Sequence, residues 1–158
     1  MAGSGKLDRF DREILTRLQE DATISVAVLA EAIGLTATPC WRRIQKLEER
    51  GIIKKRVTLL DAKQLNLGFS VFMSIRTNEH RFDWFEAFHK LVSAIPEVVD
   101  FYRVAGSTDY LLKVAVSDMA DYDSIYKTLI KGADLADVTS MFVIEEIKHT
   151  TALPLTHA

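Results

Sequence analysis

The chain has 158 residues, of which 48% are hydrophobic and 27% are charged, which is the balance of an ordinary globular protein with a sizeable core. This composition excludes a disordered or collagen-like chain, and no apolar run approaches the roughly 20 residues needed to cross a bilayer. The net charge of −2 excludes a general nucleic-acid coat protein. The charge is unevenly distributed along the chain, because residues 1–56 carry 11 basic and 8 acidic side chains and are therefore net positive.

The start of the chain and its single cysteine bear on the cellular compartment. Residues 1–6 are small and polar, lack the apolar core of a secretory signal and are predicted to be frayed. Cys40 has no partner for an intramolecular disulfide, which fits a reducing compartment. These features predict a cytoplasmic protein without membrane association.

Two helices are predicted before residue 35. Residues 7–20 carry apolar side chains at helical spacing, and Asp8 is placed to cap their N-terminus. Ser25 can cap a second, short helix that ends at Gly34, where a left-handed turn is expected.

A third helix is predicted over residues 35–51, which read LTATPCWRRIQKLEERG. Thr36 is the expected capping residue, Pro39 fits the first turn and Gly51 follows a basic last turn. One side of this helix is an apolar seam of Cys40, Ile44 and Leu47. The opposite side is polar and largely basic and consists of Thr38, Arg42, Gln45, Lys46 and Glu49, with Trp41 and Arg43 on the flanks.

The second and third helices, joined by a tight turn containing Gly34, form a helix-turn-helix pattern. Such a motif places its second helix in the major groove of DNA, while Lys and Arg at its margins neutralise phosphates. The candidate DNA-binding residues are Thr36, Thr38, Arg42, Arg43, Gln45 and Lys46.

The roles expected of these residues follow from their chemistry and position on the helix. Thr38 and Arg42 are expected to read bases, Arg43 and Lys46 to contact phosphates, and Gln45 is a weaker candidate for an adenine edge. Trp41 stays open between packing and a backbone contact. The alternative for these helices is a helical interaction module that binds protein rather than DNA.

The pattern changes after the third helix. Residues 51–64 suggest a strand and then a connector, and residues 69–76 alternate as a half-buried strand does. A helix over 81–94, strands at 98–105 and 109–117, a helix over 119–131 and a strand at 138–149 complete a βαββαβ order, which is the ferredoxin-like arrangement.

The predicted fold class is therefore α+β. A winged-helix-like helix-turn-helix domain at 1–56 is followed by a linker strand and connector at 57–67 and a ferredoxin-like domain at 68–158. Both helices of the second domain cover one face of its sheet, so the partly apolar opposite face predicts self-association.

Enzymatic activity is not expected. The sequence holds no nucleophile and base at a known motif spacing, no Gly-rich phosphate loop and no clustered metal ligands among His80, His89, His149 and His157. Neither a metal nor a cofactor is therefore predicted.

The chain resembles the Lrp/AsnC family of transcription regulators, also called leucine-responsive or feast/famine proteins. The resemblance runs from LDRFDREIL through GLTATPCWRRIQKLEERGII and GSTDYLLKV to FVIEEIK. It implies a helix-turn-helix that binds double-stranded operator DNA. It also implies a second domain that forms homodimers, assembles them into tetramers or octamers and senses a small effector, usually an amino acid. The alternative function is an amino-acid-sensing assembly protein whose N-terminal helices bind protein rather than DNA.

The resemblance also implies that the effector binds near the loop between the second and third strands of that domain. The candidate residues are Val104, Gly106, Ser107, Thr108, Asp109 and Tyr110. Asp109 can pair with the ammonium of a free amino acid, and the backbone N–H groups around Gly106 and Ser107 can bind its carboxylate. The family often has Asp where this chain has Ser107, so the effector's identity stays open. The alternative is that residues 106–109 only serve the geometry of a turn.

Overall fold

The computed structural model describes residues 6–158, so the expectation for residues 1–5 lies outside the described part of the chain. Its elements are α1 (Arg9–Glu20), α2 (Val26–Ala32), α3 (Ala37–Glu49), a 3₁₀ turn at Lys63–Leu65, β1 (Phe69–Arg76), α4 (Phe82–Ser93), β2 (Val98–Arg103), β3 (Tyr110–Val116), α5 (Met119–Gly132) and β4 (Asp137–Phe142). The predicted order of three helices followed by βαββαβ is confirmed. In the described residues, the helices are all too short or too polar to span a membrane.

The chain forms two compact units. The helical unit comprises Met1–Leu59 together with Lys148–Ala158, and the sheet unit comprises Leu60–Ile147. The sequence-based division placed residues 148–158 with the second domain, whereas in the structure this segment, the C-terminal strap, packs with the helices.

The C-terminal strap is held by paired hydrogen bonds to α1. The Gln19 side-chain amide donates to the Leu153 carbonyl at 3.2 Å and accepts from the Leu153 N–H at 2.7 Å. The Arg12 guanidinium donates to the Ala158 carbonyl through Nη2 at 2.7 Å and Nε at 3.2 Å. Leu155 packs against the core of the helical unit.

The helices of the helical unit begin where the sequence predicts. Asp8 caps α1 in a capping box, its carboxylate accepting from the Asp11 N–H at 2.9 Å while the Asp11 carboxylate accepts from the Asp8 N–H. Ser25 caps α2, and Gly34 has a φ of 73°, the left-handed value expected where the helix ends. The predicted seam of α3 is buried: Cys40, Ile44 and Leu47 are each at most 3% exposed.

The expected capping hydrogen bond at α3 is the exception. Thr36 occupies the capping position, but its side chain makes no capping hydrogen bond. A capping side chain bonds the N–H of the second or third helical residue, and here the third is Pro39, which has no N–H. The Thr36 side chain is therefore exposed without a capping role.

The sheet unit has the ferredoxin-like topology. Its four strands are antiparallel in the order β2-β3-β1-β4, and β1 pairs with β3 so that Met73 lies opposite Leu112 and Ile75 opposite Tyr110. The alternate residues of β1 and β3 that face the helices are almost fully buried, together with Phe88 of α4 and Leu129 of α5. The residues of the other face, including Phe72 and Leu111, stay partly accessible.

Two predicted strands differ from the structure. The strand suggested within residues 51–64 is wrong, because the described chain forms only the 3₁₀ turn there and all four strands of the sheet lie elsewhere. The last strand ends at Phe142 rather than at residue 149. Its partner β1 begins at Phe69 and pairs Val71 with Phe142, so the ladder runs out of partner residues just beyond Val143.

Candidate functional site

A groove of about 730 Å³ lies in the helical unit between the outer face of α3 and the start of α1. Its lining contains five cationic side chains, namely Lys6, Arg42, Arg43, Lys46 and Arg50, and two carboxylates, those of Asp8 and Asp11. Thr38 and Pro39 line the same groove near the N-terminus of α3. A concave surface with this charge is suited to a polyanion.

Three of the predicted DNA-binding residues share the exposed face of α3. Thr38, Arg42 and Lys46 follow one another at intervals of four residues, and all three are exposed and line the groove. The buried seam on the opposite side fixes the helix, so these side chains project from a rigid support.

Arg43, which was also predicted to meet DNA, is engaged within the protein. Its Nη1 donates to Asp8 Oδ2 and to Asp11 Oδ1, each at 2.7 Å, and its guanidinium carbon lies 5.3 Å from the Phe10 ring centroid. The side chain is 32% exposed. It therefore connects α3 to the first turn of α1.

These contacts shift the pKa values of Asp8 and Arg43. The pKa of Asp8 is lowered, first by the hydrogen bond from the Asp11 N–H and, against the effect of burial, by the guanidinium of Arg43. Partial burial acts to lower the pKa of Arg43, but the hydrogen bonds to Asp11 and Asp8 outweigh it and raise that pKa. Burial raises the pKa of Cys40, which fits a thiol that packs rather than reacts.

Gln45 and Trp41 occupy different surroundings from the groove face. The Gln45 amide donates to Glu48 Oε2 at 3.1 Å, and Glu48 also accepts from Arg56 at 3.0 Å. Trp41 is 51% exposed, so packing in the core does not account for it.

The loop between β2 and β3 of the sheet unit contains the predicted effector residues. Asp109 Oδ2 accepts from the Thr77 N–H at 2.9 Å, and the Asp109 N–H donates to the Ile75 carbonyl at 3.0 Å. The Thr108 hydroxyl donates to the same carbonyl at 2.8 Å and accepts from Ser74. The loop is thus tied to the end of β1 through its own polar side chains.

The remaining loop residues differ in access. Gly106 has a φ of 142°, a conformation that favours glycine, and both Gly106 and Ser107 are exposed. Val104 is half-buried and its N–H donates to the Asp109 carbonyl at 2.9 Å. Tyr110 is 5% exposed and its ring packs among Trp84, Phe85, Phe88 and Phe101. Its side chain serves the core on the helix-covered face of the sheet.

Within residues 6–158, no group of three or more His, Cys, Asp or Glu side chains is arranged to hold a metal ion. The residues that sequence reasoning missed are Asp8 and Asp11 as partners of Arg43, and Lys6 and Arg50 as part of the groove lining. A local spacing rule does not find Asp8 and Asp11, because they lie 35 and 32 residues from Arg43 in the chain. Arg50, in contrast, continues the four-residue spacing of Thr38, Arg42 and Lys46.

Comparison with known proteins matches both units. A family model described as the Lrp/AsnC ligand binding domain matches residues 70–153, and one described as a winged helix-turn-helix DNA-binding domain matches residues 7–54. The chain is 51% identical over 150 residues to a glutamate uptake regulatory protein of Zymomonas mobilis, which covers 95% of this chain and 92% of that protein.

Two solved structures extend the match to the fold. The crystal structure of an AsnC family transcriptional regulator from Agrobacterium tumefaciens has a TM-score of 0.91 and 54% identity, covering 94% of this chain and 97% of that one. A transcriptional regulator from Neisseria meningitidis, solved as a complex with L-Met, has a TM-score of 0.91 and 37% identity, covering 96% and 98%.

Proposed function

The chain belongs to the Lrp/AsnC family of transcription regulators, and on this premise we propose which of its residues bind DNA and which bind its effector. It is a DNA-binding transcriptional regulator with a helix-turn-helix domain and a small-effector-binding domain. Because a transcriptional regulator has to reach the DNA that it binds, we propose that the protein is located in the cytoplasm.

We propose that α3 enters the major groove of operator DNA with Thr38 and Arg42 toward base edges and Lys46 toward a phosphate. The observation that carries this proposal is the shared exposure of these three side chains along a cationic groove. Thr36, exposed and without a capping hydrogen bond, can donate its hydroxyl to a neighbouring phosphate. Gln45 is a weaker candidate because Glu48 holds its amide.

A salt titration tests this function against protein binding by the same helices. The DNA probe is a duplex recovered from a random-sequence library by selection with the full chain. We expect the logarithm of the association constant to fall linearly with the logarithm of salt concentration, by about 0.9 for each phosphate neutralised. A salt-independent affinity, or failure to recover any preferred duplex, would reject DNA as the ligand of α3.

We further propose that an amino acid binds at the loop between β2 and β3. Asp109 Oδ2 is held by Thr77, so Oδ1 is the oxygen available to an ammonium group, and the exposed backbone at Gly106 and Ser107 can meet a carboxylate. The similar Neisseria meningitidis regulator was solved with L-Met, so methionine is the first amino acid to test.

A melting-temperature screen against the free amino acids tests the effector proposal. A ligand that binds only the folded chain stabilises it by about 2.7 kcal/mol at a concentration one hundred times its Kd. We expect one or a few amino acids to raise the melting temperature in a saturable manner. If no amino acid at millimolar concentration raises the melting temperature, the proposal that the effector is an amino acid is wrong.

We also propose that the partly apolar outer face of the sheet joins two copies of the chain, and that such dimers assemble further. Phe72, Leu111 and the half-exposed Met141 lie on that face. Sedimentation of wild type and Phe72→Asp tests this, because a buried charge on the face should shift the protein toward monomer.

A further inference from the structure

Arg43 differs from the other cations of the groove in how its charge is used. Arg42 and Lys46 are exposed, whereas two carboxylates and the Phe10 ring surround the Arg43 guanidinium. Both ion pairs use the same nitrogen, Nη1, at 2.7 Å. The Arg43 side chain is therefore bound to the N-terminus of α1.

The charge of this cluster also opposes a phosphate contact. One guanidinium faces two carboxylates, so the cluster of Arg43, Asp8 and Asp11 has a net charge of −1. The carboxylates cannot easily turn away, since Asp8 caps α1 and Asp11 completes the capping box. A phosphate that approached Arg43 would meet these two negative charges at close range.

We propose that Arg43 is a positioning residue for DNA binding, which fixes α3 against the first turn of α1 and does not contact a phosphate. This proposal rests on the DNA-binding role of α3. Arg43 holds α3 at the angle from which Thr38, Arg42 and Lys46 project together. Asp8 and Asp11 therefore contribute to operator recognition without touching DNA.

The test compares Arg43→Gln with Lys46→Gln, two substitutions that remove the same charge three residues apart on one helix. Affinity is measured for the full chain on the selected duplex and on a scrambled duplex of equal length, across a range of salt. A phosphate contact supports both duplexes about equally, and its loss reduces the salt slope by about one.

For Lys46→Gln we expect equal weakening on both duplexes and a lower salt slope. For Arg43→Gln we expect about tenfold weaker binding to the selected duplex, a much smaller loss on the scrambled duplex and a salt slope closer to that of wild type. Equal losses on both duplexes, with the slope reduced as in Lys46→Gln, would overturn the proposal.

Asp11→Asn provides a second variant that keeps the cation and removes one of its partners. Circular dichroism and thermal unfolding establish that each variant is folded. Removing a negative charge strengthens binding to any DNA. The deciding quantity is therefore the affinity for the selected duplex divided by the affinity for the scrambled duplex. We expect this ratio to fall in Asp11→Asn, and an unchanged ratio would also overturn the proposal. Loss of preference in the wild-type chain itself would instead reject the DNA-binding role.

Discussion

The recognition helix α3 and the loop between β2 and β3 use their polar side chains in opposite ways. Thr38, Arg42 and Lys46 project from a helix whose backbone is satisfied internally and whose seam is buried. Thr108 and Asp109 instead hydrogen-bond the end of β1 and the residue after it. A helix leaves its outward side chains free for a ligand, whereas a loop uses part of its side chains to hold its own backbone.

The largest expected effect is on DNA binding, through Arg42→Ala. If Arg42 reads a base, its loss should weaken binding to the selected duplex by about 1–3 kcal/mol. Because the side chain is exposed, stability should change by less than about 0.5 kcal/mol. Arg9→Ala, an exposed arginine of α1 paired with Glu13, is the control. An equal loss of DNA binding in both variants would contradict the proposal that Arg42 reads a base.

The loop should show the opposite behaviour, in which binding and stability change together. Asp109→Ala removes the acceptor of the Thr77 N–H, and leaving that donor unsatisfied in a residue only 5% exposed should cost about 1–3 kcal/mol. The same variant should lose any melting-temperature rise caused by an amino acid.

Asp109→Asn separates these two roles. It keeps an oxygen acceptor for Thr77 and removes the charge, so we expect near-normal stability without an amino-acid response. A full response in Asp109→Asn would show that the carboxylate does not pair with the effector's ammonium.

The loop backbone should be nearly as sensitive as its side chains. An added Cβ at Gly106 meets no atom within 4 Å, so Gly106→Ala introduces only the strain of its positive φ. We expect a loss of about 1–2 kcal/mol in thermal or chemical unfolding. Gly68→Ala, which has open space and no positive φ, is the matched control. Equal stability of the two variants would mean that the loop relaxes freely.

The smallest expected effect is the pH dependence caused by Asp8. Its folded-state pKa lies below the ordinary value of 3.8, so its contribution is complete above that pH and is lost as pH falls through the folded value. Since the Asp8 side chain is 50% exposed, the contribution should stay below about 1 kcal/mol. The stability difference between wild type and Asp8→Asn should therefore shrink as the pH falls below 3.8. A constant difference would contradict the role of this carboxylate.

The helix starts at Asp8 and Ser25, the turn at Gly34 and the seam of α3 could be predicted from sequence, because each depends on residues within one or two helical turns. The alternation in residues 69–76 likewise identified β1. Local patterns report local geometry, and these elements are determined locally.

Features that depend on distant partners could not be predicted in the same way. The apolar residues after α3 look like a strand, yet Val57 and Leu59 have no neighbouring strand in the described chain and are exposed. Arg43 looks like another outward cation until folding brings Asp8 and Asp11 beside it. The pattern shows which residue types are present, but their pairing is a property of the tertiary structure.

The C-terminal strap has a consequence for how the protein is made. The helical unit receives Leu153 and Leu155 from a segment that leaves the ribosome only after the whole sheet unit has been synthesised. During translation, the surface of α1 around Gln19 therefore stays uncovered until residues 148–158 have been made. The helical unit completes its packing last, although its helices are synthesised first. Pulse proteolysis of stalled nascent chains should find the helices better protected once residues 148–158 have emerged.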